Sequence, residues 1–225
     1  MLLLSGGLDS VVNCAIAMRE APVLLALTFD YGQHALQREI DAAKAVCDHY
    51  SIRHRVIPLP WLKEITCSDL VRDGARPPEL RKEDLDDPVK TKDSARAVWV
   101  PNRNGIMIEI AAAFAEVMGA GRIIVGFNRE EASTFPDNSE TYLAAVNRSL
   151  AYSAGAPMEV VSYTVGMDKK EIVRAGLQHQ VPLGKIWSCY RGEEKMCGSC
   201  ESCGRLKRAI SGTEAEKILR GFLPG

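Results

Sequence analysis

An α/β architecture built on a parallel sheet is expected for this 225-residue chain on three grounds. Short apolar and β-branched runs alternate with longer segments whose apolar residues recur at helical spacing. The first of those runs leads directly into a glycine turn and a helix start, as strand–helix–strand units require. Composition agrees: 46% hydrophobic and 25% charged residues suit one well-packed soluble domain with embellishments, and the length is short for two.

Residues 2–4 form the first expected strand, and a helix covers about 9–20. A β-branched run at 23–29 is the second strand. Residues 36–50 follow as a helix with Ile40, Ala43, Val46 and Cys47 on one face. The third strand is 53–59. A strongly apolar helix spans 103–118, its Ala111-Ala112-Ala113 stretch suited to close packing. Strand 122–127, helix 141–153 and strand 157–165 come next, and Asp168 caps a helix running to about His179. Ligands of such sheets sit outside the carboxyl ends of the strands, so the loops after the strands carry the functional expectation. Residues 72–97 break the alternation. Paired prolines, Arg81-Lys82-Glu83-Asp84 and Asp86-Asp87-Pro88 leave little apolar surface to bury, which predicts either a mobile lid or an inert flexible insertion.

A net charge of −1 gives no electrostatic case for a nucleic-acid duplex or an acidic membrane as partner. No apolar run approaches bilayer length and no signal peptide precedes the first strand, so a cytoplasmic location is expected. The seven cysteines are an odd number, which in that setting argues against a disulfide framework. Cys14, Cys47 and Cys67 stand alone and read as small apolar side chains. His34, His49, His54 and His179 show no metal spacing and read as packing or surface residues.

The loop Leu4-Ser5-Gly6-Gly7-Leu8-Asp9-Ser10 builds an anion site from backbone alone. The glycines permit close approach of phosphate oxygens, and the helix start aims unpaired N–H groups at them. A tight turn without a ligand is the plain alternative. No Lys follows the glycines, which excludes the P-loop of kinases and GTPases. The pattern resembles the S-G-G-x-D-S pyrophosphate loop of the N-type ATP pyrophosphatases, which transfer AMP to a carboxylate or carbonyl oxygen.

Cys189, Cys197, Cys200 and Cys203 place four soft ligands within fifteen positions. That set suits one tetrahedral zinc in a closed, structural site. An iron–sulfur cluster is the rival occupant. The expected organisation is a nucleotide-binding domain over 1–185 with the 72–97 insertion, and a cysteine knuckle with helices over 186–225 packed on the same domain.

Loop and knuckle together resemble the 7-cyano-7-deazaguanine synthase family over nearly the whole chain. Further landmarks are T-F-D-Y-G-Q from Thr28, V-P-N-R-N from Val100, F-P-D-N from Phe135 and D-K-K-E-I from Asp168. The resemblance implies a Rossmann-like, adenine nucleotide alpha hydrolase-like domain. It also implies a ligase that uses ATP twice to turn 7-carboxy-7-deazaguanine and ammonia into the nitrile. The loop 126–138 departs from the bacterial pattern, with Glu131 in place of the usual Asp and Asn138 in place of a Cys.

For individual residues, the resemblance implies that the loop Leu4 to Ser10, with Asp30, Tyr31 and Gln33, binds ATP. Asp9 would partner Mg²⁺. Arg103 would meet the substrate carboxylate or the α-phosphate, against the alternative of a surface ion pair. Asn104, Glu131 and Asp137 would contact the guanine-like substrate, and Lys169 would reach the triphosphate. Solvated surface charges are the alternatives for Glu131 and Lys169, and Trp99 either lines the pocket or packs in the core. ATP, Mg²⁺ and one structural Zn²⁺ are the expected cofactors. A homodimer acting on small molecules, without nucleic acid or membrane, is the expected assembly. Two rivals stay open: a sister ligase joining a deazaguanine to another acceptor, and another ATP pyrophosphatase such as a tRNA-modifying enzyme.

Overall fold

The computed structural model describes residues 1–223. Five strands, β1 (Leu2–Leu3), β2 (Ala26–Asp30), β3 (His54–Pro58), β4 (Arg122–Ile124) and β5 (Glu159–Val161), pair in the order β3-β2-β1-β4-β5. All four pairings are parallel. The order reverses between β1 and β4, and that switch point opens a crevice at their carboxyl ends.

Alternation along the strands builds two cores. Leu2, Leu4, Ala26 and Ile124 face helices α1 (Leu8–Glu20), α2 (Leu36–Tyr50), α8 (Lys169–Gln178), α9 (Glu201–Ile210) and α10 (Glu214–Leu219). Leu27, Phe29, Ile123, Val125 and Val160 face α3 (Pro60–Ile65), α5 (Arg103–Met118) and α7 (Glu140–Ser153) on the other side, and the single turn α6 (Arg129–Ala132) lies between β4 and α7 in the chain. Cys189, Cys200 and Cys203 belong to the first core, so the C-terminal segment shares apolar contacts with the sheet. Among the described residues, no helix is long and apolar enough to cross a membrane.

Several strands are shorter than the sequence suggests because side chains replace the ladder at their ends. Ser162 Oγ accepts from Phe127 N at 3.1 Å and donates to Phe127 O at 2.9 Å. Asn13 accepts from Tyr163 N at 2.7 Å and donates to Thr164 Oγ1 at 2.6 Å. Along the outer edge of β5, the Asn147 amide pairs with both backbone groups of Val160, at 2.7 and 3.0 Å.

Residues 72–97 are more ordered in secondary structure than their composition suggests. They contain a 3-10 turn (Lys82–Asp86) and α4 (Pro88–Ala97). Asp87 caps α4 by accepting from Val89 N at 2.8 Å and Lys90 N at 3.2 Å, with Pro88 at the first helical position. Leu85, Thr91, Ser94 and Ala95 are buried, and Leu80 N donates to Ser199 O at 3.0 Å in the cysteine loop. The Asp-Pro pair is an ordinary helix-start signal, hidden in the sequence by the surrounding charges.

Candidate active site

The crevice at the switch point is a cleft of about 250 Å³. Its floor is the turn between β1 and α1. Gly6 has φ +78°, and a Cβ there would stand 2.7 Å from Ala42 Cβ, so only glycine fits. A Cβ on Gly7 would meet nothing closer than Ser5 Oγ at 3.4 Å, which leaves the backbone accessible from the cleft. No side chain caps α1, so its first N–H groups are free to face an anion, with the positive end of the helix dipole behind them. Gly126, after β4, seats on this turn: a Cβ would lie 2.7 Å from Ser10 N. Trp187 N donates to Gly6 O at 2.9 Å from the opposite side. Ser10 Oγ donates to Gly7 O at 3.0 Å and lies 3.3 Å from Ser5 Oγ.

Lys169 closes this end. Asp168 begins α8 with a capping box to Glu171, which sets the first turn and aims Lys169 inward. The ammonium bonds to Asp9 Oδ2 and lies 2.7 Å from Glu131 Oε1. Burial works against the charge on Lys169, but the two carboxylates more than restore it and its pKa is raised. Burial pushes Asp9 up to about 6, with Lys169 opposing and Glu131 adding to the shift. Glu131 is held below the usual carboxylate range because Lys169 outweighs its own burial. Asp9 Oδ1 is buried and has no hydrogen-bond partner. An unpaired buried carboxylate oxygen is a donor that fits a hard cation such as Mg²⁺.

The other end is built around Arg103, the first residue of α5. It donates to Tyr31 Oη at 3.1 Å and its guanidinium lies 5.6 Å from the Tyr31 ring centre. Burial again works against the charge, and Tyr31, Asp137 and Glu39 outweigh it, so Arg103 stays a cation. Asn104 lines the cleft and donates to Asp137 O at 3.4 Å. The Asp137 carboxyl is raised by burial, with Arg103 opposing.

Leu4, Ser5, Gly7, Leu8, Asp9, Ser10, Tyr31, Gln33, Arg103, Asn104, Glu131 and Lys169 all line the cleft. Gly6, Asp30 and Asp137 do not. Asp30 accepts from Gly32 N at 3.0 Å and shapes the turn after β2. Gln33 accepts from Tyr31 N and donates to Phe29 O and Glu39 Oε2, at 2.8 to 3.0 Å, so its amide is committed within the protein. Trp99 stacks on Phe135 at 6.3 Å and does not line the cleft, whereas Phe135 does. Glu39, Trp187 and Tyr190 also line it without standing in any sequence motif, and so does Phe127 of the 126–138 loop, to which the sequence assigns no role. Their one advance signal was position after a strand or beside a cysteine ligand.

The Sγ atoms of Cys189, Cys197, Cys200 and Cys203 lie within 4.8 Å of one another. Tetrahedral zinc with Zn–S bonds of about 2.3 Å needs sulfurs roughly 3.8 Å apart. Cys197 and Cys203 are at 3.9 Å, so the set fits a single ion. Backbone N–H groups of Arg191 and Cys197 donate to Cys189 Sγ, and that of Cys200 to Cys197 Sγ, all at 3.3 Å. Such donors stabilise thiolates. Cys189 also lines the cleft, so the knuckle forms part of its wall.

Comparison with known proteins agrees over nearly the whole length. The family described as "Queuosine biosynthesis protein QueC" matches residues 1–214. A protein of Desulforudis audaxviator (strain MP104C) named 7-cyano-7-deazaguanine synthase is 55% identical over 210 residues, covering 93% of this chain and 94% of that one. Proteins with the same name from Pelotomaculum thermopropionicum and Methanosarcina barkeri are 53% and 49% identical. The first is matched over 93% of this chain and 95% of its own, the second over 92% and 91%.

Proposed function

The chain belongs to the QueC family of queuosine biosynthesis proteins, and from that premise we propose that it converts 7-carboxy-7-deazaguanine and ammonia to 7-cyano-7-deazaguanine at the expense of ATP. The observation that carries the proposal is one cleft holding an anion-binding turn, Lys169 at one end and Arg103 at the other.

A carboxylate is a poor electrophile, so its oxygen must first become part of a leaving group. The substrate carboxylate attacks the α-phosphorus of ATP, the bond to the bridging oxygen breaks, and pyrophosphate departs. Ammonia then adds to the acyl carbon, loses a proton and expels AMP, leaving the amide. In a second round the amide oxygen takes AMP from another ATP. Loss of AMP and of the amide protons gives the nitrile.

Each residue's part follows from charge. The uncapped N–H groups of the first turn of α1 and the Lys169 ammonium stabilise negative charge growing on the departing pyrophosphate. Ser5 and Ser10 hydroxyls hydrogen-bond phosphate oxygens. Asp9 would hold Mg²⁺, which neutralises triphosphate charge when bound. Arg103 orients the reacting carboxylate against the α-phosphate. Asn104, which lines the cleft and is held from behind by the Asp137 carbonyl, would meet the guanine-like edge, where an acceptor for its N–H groups would reject analogues. Glu131 is committed to Lys169 and serves the phosphate end instead.

The finer reading of the scaffold belongs to the same proposal. One zinc holds the knuckle; four irons between the same sulfurs would force them farther apart than they stand. The knuckle and residues 1–185 form one domain, the enzyme is a cytoplasmic homodimer, and light scattering reports its mass.

The test is mass spectrometry of the purified protein with ATP, Mg²⁺, ammonium and the 7-carboxy acid. The expected result is the nitrile with AMP. Absence of AMP formation overturns the proposal. AMP with a product that stops at the amide or carries another acceptor replaces it by the sister-ligase reading.

A further inference from the structure

Lys169 is fixed at both ends, and its backbone end is held by a chain of buried ions that the chemistry above does not use. Glu130 Oε2 accepts from Lys169 N at 3.2 Å. Glu130 Oε1 accepts from Arg205 Nη1 at 2.6 Å and Arg208 Nη2 at 2.5 Å. Arg205 reaches back along α9 to Glu201 Oε1, with Nε at 3.0 Å and Nη2 at 2.8 Å. Ser94 Oγ of α4 donates to Glu201 Oε2 at 2.7 Å. Glu201 sits between Cys200 and Ser202, at the edge of the cysteine knuckle.

This chain of contacts is expensive to build. Arg205 and Glu201 side chains are only 6% and 3% exposed. Desolvating two ions offsets most of their attraction, so such a pair is weak evidence of stability and better evidence of a required geometry. The geometry here is specific. A planar guanidinium spans two carboxylates with directed bonds from three nitrogens, which a lysine cannot reproduce. One end of the span is the cysteine loop with α4; the other is the first residue of α8.

We propose that Arg205 is a positioning residue for Lys169: by clamping Glu130 to Glu201 it registers the first turn of α8 against the phosphate turn, so that the cysteine knuckle and α4 set the ammonium's place. The inference rests on the reading of the cleft as the ATP site. Lys169 touches the phosphates in that reading; Arg205 acts only through it.

The experiment compares Arg205→Lys and Glu130→Gln with wild type in steady-state and single-turnover AMP formation, in the wild-type and Lys169→Met backgrounds. Thermal unfolding and bound zinc are recorded for every protein. Each single variant is expected to retain its zinc and lose about tenfold in kcat, as partners behind a working group commonly do, while KM for ATP changes less than about twofold. In the Lys169→Met background the same changes should alter the single-turnover rate by less than about twofold, because residues acting through one group are not additive. A purely structural role predicts the tenfold loss in both backgrounds, and that result overturns the inference. So does wild-type kcat in both single variants. A wild type that forms no AMP overturns the reading of the cleft itself, a different outcome from an active wild type with additive variants.

Discussion

The two walls of the cleft are held by different forces. The wall formed by the Ser5–Gly7 turn and α1 is backbone: a left-handed glycine, unpaired helix N–H groups and a close seat for Gly126. The wall formed by Lys169 and Glu131, with Glu130 and Arg205 behind it, is charge, carried on long side chains in a poorly solvated place. Backbone donors have little freedom left to lose when phosphate arrives and do not titrate. Buried ions can be aimed at one atom, but each needs a partner, and removing one strands the other. The first wall therefore supplies binding that tolerates changes around it, and the second supplies charge that depends on its whole surroundings.

That contrast can be broken at several points. The largest effect is expected for Lys169→Met, with kcat reduced about 10²- to 10³-fold, the range for removing one group that stabilises developing charge. Nucleotide binding by calorimetry should fall far less; equal losses in both would mean the two walls share one task. Next is Cys200→Ser, which should abolish zinc in elemental analysis. It should lower the unfolding midpoint by about 10 °C, given that each kcal/mol moves a domain of this size by about 2–4 °C. Gly6→Ala follows: its left-handed backbone alone costs about 1–3 kcal/mol, and Ala42 must also shift, so denaturant unfolding should show at least that loss.

A subtler effect is the pH dependence. Burial raises Asp9 to about 6, so a cleft that needs the carboxylate should lose kcat/KM for ATP as pH falls through about 6. For folding the sign is opposite. A carboxyl raised in the native state binds protons there that the unfolded chain has released, so stability declines as pH rises from about 4 to about 6. Asp9→Asn should flatten the stability slope over that window in urea titrations. Smallest is Arg122→Ala, which breaks a pair with Glu20 whose side chains are both 47% exposed. It should change stability by less than about 1 kcal/mol and leave the rate alone.

The two walls also differ in how much of each could be read along the chain. Ser5 to Ser10 is contiguous, so its glycines, acid and serine announce the turn, and the Asp168 cap announces where Lys169 begins its helix. Spacing alone brought the four cysteines together. The ion wall offered no such signal, since Asp9 and Lys169 are 160 positions apart and Glu130 and Arg205 are 75 apart. Any surface helix carries Glu and Arg at similar spacing, and only burial distinguishes these. Glu131 shows the same limit: its residue type suggested the substrate's N–H edge, and its nearest charge turned out to be Lys169. In residues 72–97 the low apolar content and the surrounding charges obscured a well-formed helix cap at Asp87-Pro88.

The bond from Trp187 N to Gly6 O has a consequence for how the protein comes into being. A ribosome releases the turn between β1 and α1 well before the residues that complete its surroundings, α8, Trp187 and α9. A nascent chain reaching only to α7 has the turn, β4 and Arg103, yet lacks Lys169, Trp187 and the clamp on Glu130. Such a chain can settle its first core strands early, but it lacks the ammonium that the proposed chemistry uses. The cleft thus comes with a built-in delay: it is complete only once the residues through α9 have emerged.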